Sequence, residues 1–216
     1  MKKKTTMQNI CNVSNLDCEN CSINGKLMCT FNIKDTIYFI LPVIGVWITL
    51  IVGIIYAFIV GKIDIPFLII FSVGYAGYLI FFLQVWENKI LCSHCPYYAY
   101  EDERHVKCYA NFGLYKVWKY NPAPMTTSEK IQFLIGIALF VGIPLILFLI
   151  IGFYLFIGIS LALALVWVIS MHFLSCSKCP NFSCPLNNIS KEVVDEYLKR
   201  NPVMRKAWVG QGYIID

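Results

Sequence analysis

The chain has 216 residues, of which 58% are hydrophobic and only 14% charged, whereas a soluble domain is nearer half apolar and a quarter charged. This balance excludes an ordinary soluble enzyme, a disordered chain and a collagenous one, and it points to a membrane. The net charge of +5 comes with ten cysteines, too many for background and too few for a small disulfide scaffold.

Residues 1–35 begin with Lys2, Lys3 and Lys4, but a polar stretch follows and the first apolar run starts only near residue 36. That is too late for a cleaved secretory signal, so the first span is expected to act as an uncleaved anchor. Three stretches, 36–60, 65–86 and 131–174, contain no Asp, Glu, Lys or Arg. Crossing a bilayer takes about 20 apolar residues. The third stretch has 44 residues, about 66 Å as one helix, twice the thickness of the hydrocarbon core. It must fold back, with the turn expected near residues 152–154. Lipid leaves helices or closed barrels as spanning structures, and continuous rather than alternating apolar runs exclude a barrel.

The fold class expected is therefore all-α integral membrane, with four transmembrane helices as two tandem hairpin repeats and a Cys-rich cytosolic cap. The divisions are an N-terminal cytosolic module 1–35, hairpin 36–86, a cytosolic loop 87–130, hairpin 131–174 and a cytosolic tail 175–216. The three polar segments carry 17 of the 18 basic residues, and only Lys62 lies on the other side. Under the positive-inside rule that split makes the polar side cytoplasmic. The positive charge then marks topology; acidic residues interleave with it and no motif supports nucleic-acid binding.

Within the first span Gly45, Thr49, Gly53, Ala57 and Gly61 fall every fourth residue, and Ala138 with Gly142 and Gly158 with Ala162 repeat the spacing. Small residues on one face let helix backbones approach closely. Packing within the chain is the expected use; homo-oligomerisation is the alternative. Pro144 is expected to kink the third span. No ionisable group sits near a midplane, which argues against a pump or transporter. His172, Gln84 and Gln132 lie near span ends, and His172 reads as an interfacial or capping residue.

All ten cysteines fall on the predicted cytoplasmic side. Cys18, Cys21 and Cys29, then Cys92, Cys95 and Cys108, then Cys176, Cys179 and Cys184 each form C-x2-C followed by a third Cys, with Cys11 left over. The tight turn of C-x2-C aims two thiolates at one point, which suits a metal. Disulfides are disfavoured in the cytosol, so ligation or thiol chemistry is the better reading there. Cys92-Ser93-His94-Cys95-Pro96 and Cys176-Ser177-Lys178-Cys179-Pro180 match at four of five positions. Each follows the second span of a pair, and each precedes an Asn-Pro: Asn121-Pro122 with Met125, and Asn201-Pro202 with Met204. A parallel repeat implies a pseudo-two-fold axis along the membrane normal. That axis brings Cys92, Cys95, Cys176 and Cys179 together as first-choice ligands; Cys108 and Cys184 would build a second site with the N-terminal module.

Four cysteines suit an iron–sulfur cluster or zinc, with His94 or His105 able to replace a thiolate in the zinc case. Pro96, Pro180 and Pro185 each follow a Cys, as in ferredoxins, although the ferredoxin run itself is absent. Redox-active thiols or disulfides are the remaining alternative, and sequons at Asn12, Asn181 and Asn188 fit a secreted surface; the charge split weighs against it.

The loop is rich in aromatics, including Tyr97, Tyr98, Tyr100, Tyr109, Phe112, Tyr115, Trp118 and Tyr120. An interfacial helix over 110–119 would set such rings at the headgroups. Thr126 with Glu129 makes a capping box that opens the third span. Ser190 is expected to cap a helix with Val193, Val194, Tyr197 and Leu198 on one face, stopped by Asn201-Pro202. Glu101, Asp102 and Glu103 read as a solvated turn.

The runs Cys92-Ser93-His94-Cys95-Pro96-Tyr97, Cys108 to Gly113 and Lys119 to Met125, with Cys179 to Pro185 and Asn201 to Met204, resemble small cysteine-rich multi-pass membrane proteins of anaerobic archaea and bacteria. The resemblance covers about a third of the chain, and the group brings no assigned activity with it. From the residues alone, the expected function is electron transfer by a cytosol-facing, Cys-ligated iron–sulfur centre, to a quinone or a partner subunit. A zinc-stapled scaffold that recruits partners and a membrane thiol–disulfide oxidoreductase are the alternatives. The lipid bilayer is the expected partner in each.

Overall fold

The structure, a computed structural model, describes residues 21–29, 32–99 and 104–216. Among them are four helices long and apolar enough to cross a membrane, and no strand beyond two isolated bridges. Helix α1 runs Ile33–Ile59, with the Asn32 side chain accepting from the Lys34 N–H at its N-cap. Gly61 turns the chain at φ 70°, a left-handed conformation that favours glycine. Helix α2 starts at Ile65 behind the N-cap of Asp64, whose carboxylate accepts from the Phe67 N–H at 2.9 Å. It continues from Ile80 through a π-helical stretch, Phe81–Glu87.

Helix α3, Thr127–Ile150, opens with the predicted capping box of Thr126 and Glu129. Pro144 sits buried inside it. The charge-free stretch does reverse, at residues 151–153, where Gly152 takes φ 77°. The Phe153 N–H donates to the Phe148 carbonyl at 2.8 Å, closing the turn. Helix α4 is Tyr154–Ser170 and passes into a second π-helical stretch, Met171–Ser175.

Helix α1 packs most extensively on α4, not on its sequence neighbour α2. The small-residue face contributes to this: a Cβ added at Gly53 would lie 2.9 Å from Phe156 Cδ1 of α4, and one at Gly45 3.7 Å from Leu163 Cδ2 of α4, while Gly53 also abuts Phe148 of α3, at 2.5 Å from its Cζ. Gly142 and Gly158, which share the spacing, meet nothing within 4 Å. The closest approach instead involves Gly136, where an added Cβ would fall 2.0 Å from Phe82 Cε2. Tyr78 and Tyr75 of α2 donate to the carbonyls of Gly136 and Phe140 on α3, at 2.7 and 2.6 Å. Outward-facing Ile37, Leu41, Ile70, Ile80, Ile150 and Leu155 are all exposed, an apolar surface of the kind lipid covers.

The remaining described segments fold together at one end of the helices. Ile23 and Leu27 pack in one core with Tyr97, Tyr197, Leu198, Met204 and Trp208. The Met28 N–H donates to the Lys178 carbonyl at 2.9 Å, and Tyr97 donates to the Met28 carbonyl at 2.7 Å. Two short helices close the chain: α5, Lys191–Arg200, and α6, Pro202–Val209. Asn201 ends the first and caps the second, accepting from the Met204 N–H at 3.0 Å. Ser190 stands at the N-cap of α5 but its side chain makes no cap hydrogen bond. The helix expected over 110–119 is absent. Those residues instead form a turned loop, with Gly113 at φ 87°, a Gly113 N–H to Val106 carbonyl bond at 3.0 Å and a His105–Tyr115 bridge.

Candidate metal centre

The two C-S-x-C-P runs are built alike. Each follows a π-helical stretch, a feature often found at functional sites. Cys92–His94 and Cys176–Lys178 each form one 3₁₀ turn. Cys95 and Cys179 then leave it extended, at φ −83°, ψ 136° and φ −76°, ψ 124°. This is the backbone region that the following proline requires. Ser93 and Ser177 each donate back to the carbonyl four residues earlier, of Lys89 and Phe173. The serine thus satisfies a carbonyl that the ending helix orphans.

Cys92, Cys95, Cys108, Cys176, Cys179 and Cys184 all line one cavity of about 450 Å³, and none of the six is in a disulfide. Both modules therefore contribute all three of their cysteines to one space. The predicted first-choice set is brought together there, and Cys108 and Cys184 join that set instead of standing apart. Cys21 and Cys29 do not line this cavity; they pack against the core of Tyr197 and Leu198 that also takes in Cys95 and Cys108. Cys11 and Cys18 fall outside the described residues, as do Asn12 and the acidic run at 101–103. Among the described residues no three His, Cys, Asp or Glu side chains are gathered around a single-ion point.

A shell of hydrogen bonds orients the thiols. The Asn111 amide donates to Cys92 Sγ at 3.1 Å and to Glu87 Oε1 at 3.0 Å. The hydroxyl of Tyr109 bonds the Cys179 thiol. The Asn187 amide donates to the Cys179 carbonyl at 2.7 Å and the Asn181 carbonyl at 3.0 Å. Asn181 in turn donates to the Leu91 carbonyl at 3.0 Å, tying the second module to the start of the first. None of these partners was singled out from sequence as part of a site. Their signal was there in weak form: Asn111, Asn181 and Asn187 each lie within three residues of a module's second or third cysteine, and Glu87 is the first acid after an apolar run.

Burial is the main influence on the thiols. It pushes Cys108 and Cys184 up to about 12, with the neighbouring charge of Cys179 adding to the effect. Cys95 is raised for the same reasons, with Cys108 as the first neighbour, and burial raises Cys179. Groups held neutral in this way carry protons that a bound metal displaces.

Histidines take no visible part. His94, buried, has Nδ1 at 2.6 Å from the Ala123 carbonyl and Nε2 at 3.3 Å from Glu129 Oε1. It ties the first module to the start of α3. His105 packs on the Tyr115 ring at 4.5 Å, and His172 meets Asn188.

No protein-family model matches this chain, and no curated protein or solved structure matches it significantly. The geometry of the site therefore has to speak for the function alone.

Proposed function

We propose that this chain is an integral membrane electron-transfer protein whose cysteines hold an iron–sulfur centre at the membrane surface. The observation that carries the reading is the convergence of six thiols from two like-built modules on one cavity at the helix ends. Cys92, Cys95, Cys176 and Cys179 would be its ligands, with Cys108 and Cys184 completing the set. Cys11, Cys18, Cys21 and Cys29 are then left for a second centre. Soft thiolates select zinc, Cu(I) or iron–sulfur clusters. A single zinc wants its sulfurs crowded about 2.3 Å from one point. Thiols distributed around a cavity suit a bulkier, multi-iron core, which is held from several sides.

The remaining features fit that reading. When bound, such a centre supplies one-electron redox chemistry. The chain's own residues do the rest: Asn111 and Tyr109 donate hydrogen bonds to sulfur, a contact that tunes the potential of such centres. The matching turns of the two C-S-x-C-P runs support a tandem repeat of hairpin and module. The 17-to-1 split of basic residues supports a cytoplasmic location for the cysteine end and for both termini.

The deciding experiment is elemental and sulfide analysis of the full chain purified without oxygen. Near-stoichiometric iron with acid-labile sulfide and a visible absorption band is the expected result. A colourless, iron-free protein overturns the proposal. Zinc in place of iron would make the cysteines an architectural staple of the polar segments.

A further inference from the structure

The loop after the first cysteine module is fastened to α2 at one particular height. Counted from Ile65, Gln84 is the twentieth residue, about 30 Å along the helix, which is the thickness of a hydrocarbon core. Gln84 donates to the Tyr115 carbonyl at 2.7 Å and accepts from the Tyr115 N–H at 3.3 Å. Asn88 donates to the same carbonyl at 2.7 Å, and the Trp118 indole N–H donates to the Val85 carbonyl at 3.1 Å.

What the loop turns outward at that height is apolar: Tyr115, Val117 and Trp118 are 60%, 53% and 38% exposed. Ile80 and Phe81, one turn before Gln84 and Val85 on α2, are exposed as well. Residues four apart share a helix face, so the exposed apolar face of α2 runs on into the loop. Cations stand among these rings. Lys89 Nζ lies 5.0 Å from the Trp118 ring centre, and Lys116 Nζ lies 5.6 Å from that of Tyr98. The Tyr98 hydroxyl accepts from the Trp118 N–H at 2.9 Å, joining the two pairs in one cluster. Lys119 follows Trp118 and is exposed. No acid falls between residues 104 and 128, and those at 101–103 lie outside the described residues. Glu87 is buried and bonded by Asn111. Aromatic rings at a span end sit at the level of lipid headgroups, and clustered lysines there meet anionic lipid with several-fold gain apiece. A zwitterionic headgroup offers those lysines no net charge.

We propose that residues 115–119, together with Lys89, form a docking site for the headgroups of anionic phospholipids. The rings lie at the glycerol level and the three ammonium groups reach the phosphates. The inference rests on the reading of the four helices as membrane spans.

The test uses the full chain reconstituted in vesicles of phosphatidylcholine containing a small fraction of spin-labelled phosphatidylglycerol or spin-labelled phosphatidylcholine. The fraction of label immobilised by the protein gives the relative affinity for each headgroup. Phosphatidylglycerol is expected to be preferred at least tenfold at low salt, and less so at high salt. Lys89→Gln, Lys116→Gln and Lys119→Gln combined should abolish the preference, whereas Lys206→Gln, on α6, should leave it intact; circular dichroism checks that each variant is folded. Trp118→Phe should remove the tryptophan quenching caused by lipids brominated near the headgroup, relative to wild type. Equal affinity for the two lipids overturns the proposal, as does a preference that survives the triple change or falls equally with Lys206→Gln. Reconstitution without the preference sinks this inference and leaves the spans standing. A chain that floats with no vesicle and remains water-soluble without detergent sinks the spans themselves.

Discussion

The side-chain amide of Asn181 donates to the backbone carbonyl of Leu91, ninety positions away in the chain, over 3.0 Å. Leu91 directly precedes Cys92, and Asn181 follows Cys179 by two residues, so this bond joins the two cysteine modules at their bases. Asn181 is buried, and it also accepts from the Ser183 hydroxyl at 3.2 Å. Leaving buried partners unsatisfied costs about 1–3 kcal/mol. Asn181→Ala should therefore lower the melting temperature and make the cavity thiols reachable by a thiol reagent under native conditions. Wild-type melting and thiol accessibility in this variant would mean that the modules are held together by something else.

Helix packing gives a paired prediction at two glycines of α3. At Gly136 an added Cβ would fall 2.0 Å from the Phe82 ring, whereas Gly142 meets nothing within 4 Å. Overpacking a tight contact costs about 1–3 kcal/mol. Gly136→Ala should destabilise the chain by that order, and adding Phe82→Leu should recover much of the loss. Gly142→Ala should be close to neutral. Unfolding in mild detergent, followed by circular dichroism, compares the three, and equal effects at both glycines would contradict the packing described.

This contrast also shows where sequence reading stops. The spans, the reversal at Gly152 and the capping box of Thr126 with Glu129 were legible because each rests on a local cause: apolar length, a left-handed turn, a side chain reaching its own helix end. The four-residue spacing of small residues was legible too, but Gly53 and Gly142 look alike in sequence. Only the arrival of Phe148 and Phe156 makes one of them close-packed. The C-x2-C pairs announced themselves by spacing, whereas Asn111 and Asn181 act over long sequence separations that no periodicity encodes. The loop at 110–119 misled for a related reason. Its aromatics suggested a helix lying on a membrane, but Gly113 and the paired backbone of Val106 and Leu114 turn the chain back on itself.

Acid should loosen the C-terminal segment through Asp195. Its carboxylate accepts from Lys191 Nζ at 2.7 Å, the Tyr213 hydroxyl at 2.9 Å and the Asp216 N–H at 3.2 Å. Burial works against its charge, but these bonds outweigh burial and hold the carboxyl below its usual range. A depressed acid stabilises the fold fully above its unfolded value, about 3.9. That contribution fades as pH falls through the lower folded value. Trp208 stacks edge to face on Tyr213 at 5.2 Å, so tryptophan emission should report the loss. In Asp195→Asn the acid-dependent part of that change should disappear, and an unaltered profile would assign it to other carboxylates.

The thiols supply a last prediction, and it separates metal chemistry from thiol redox chemistry. A catalytic cysteine of a thiol oxidoreductase needs a depressed pKa, since the thiolate is the nucleophile. Here burial pushes Cys108 and Cys184 the other way, to about 12. At pH 8 a thiol with that value is ionised to the order of one part in ten thousand. In metal-free, reduced protein, alkylation of these two cysteines should therefore be slow near neutral pH and should accelerate as pH rises toward 12 under conditions where the fold persists. Peptide mapping after timed treatment with iodoacetamide reads each site separately. If either cysteine instead alkylated rapidly at pH 7, with a rate already on its plateau, the site would hold a stabilised thiolate and the case for redox-active thiols would displace that for a metal centre.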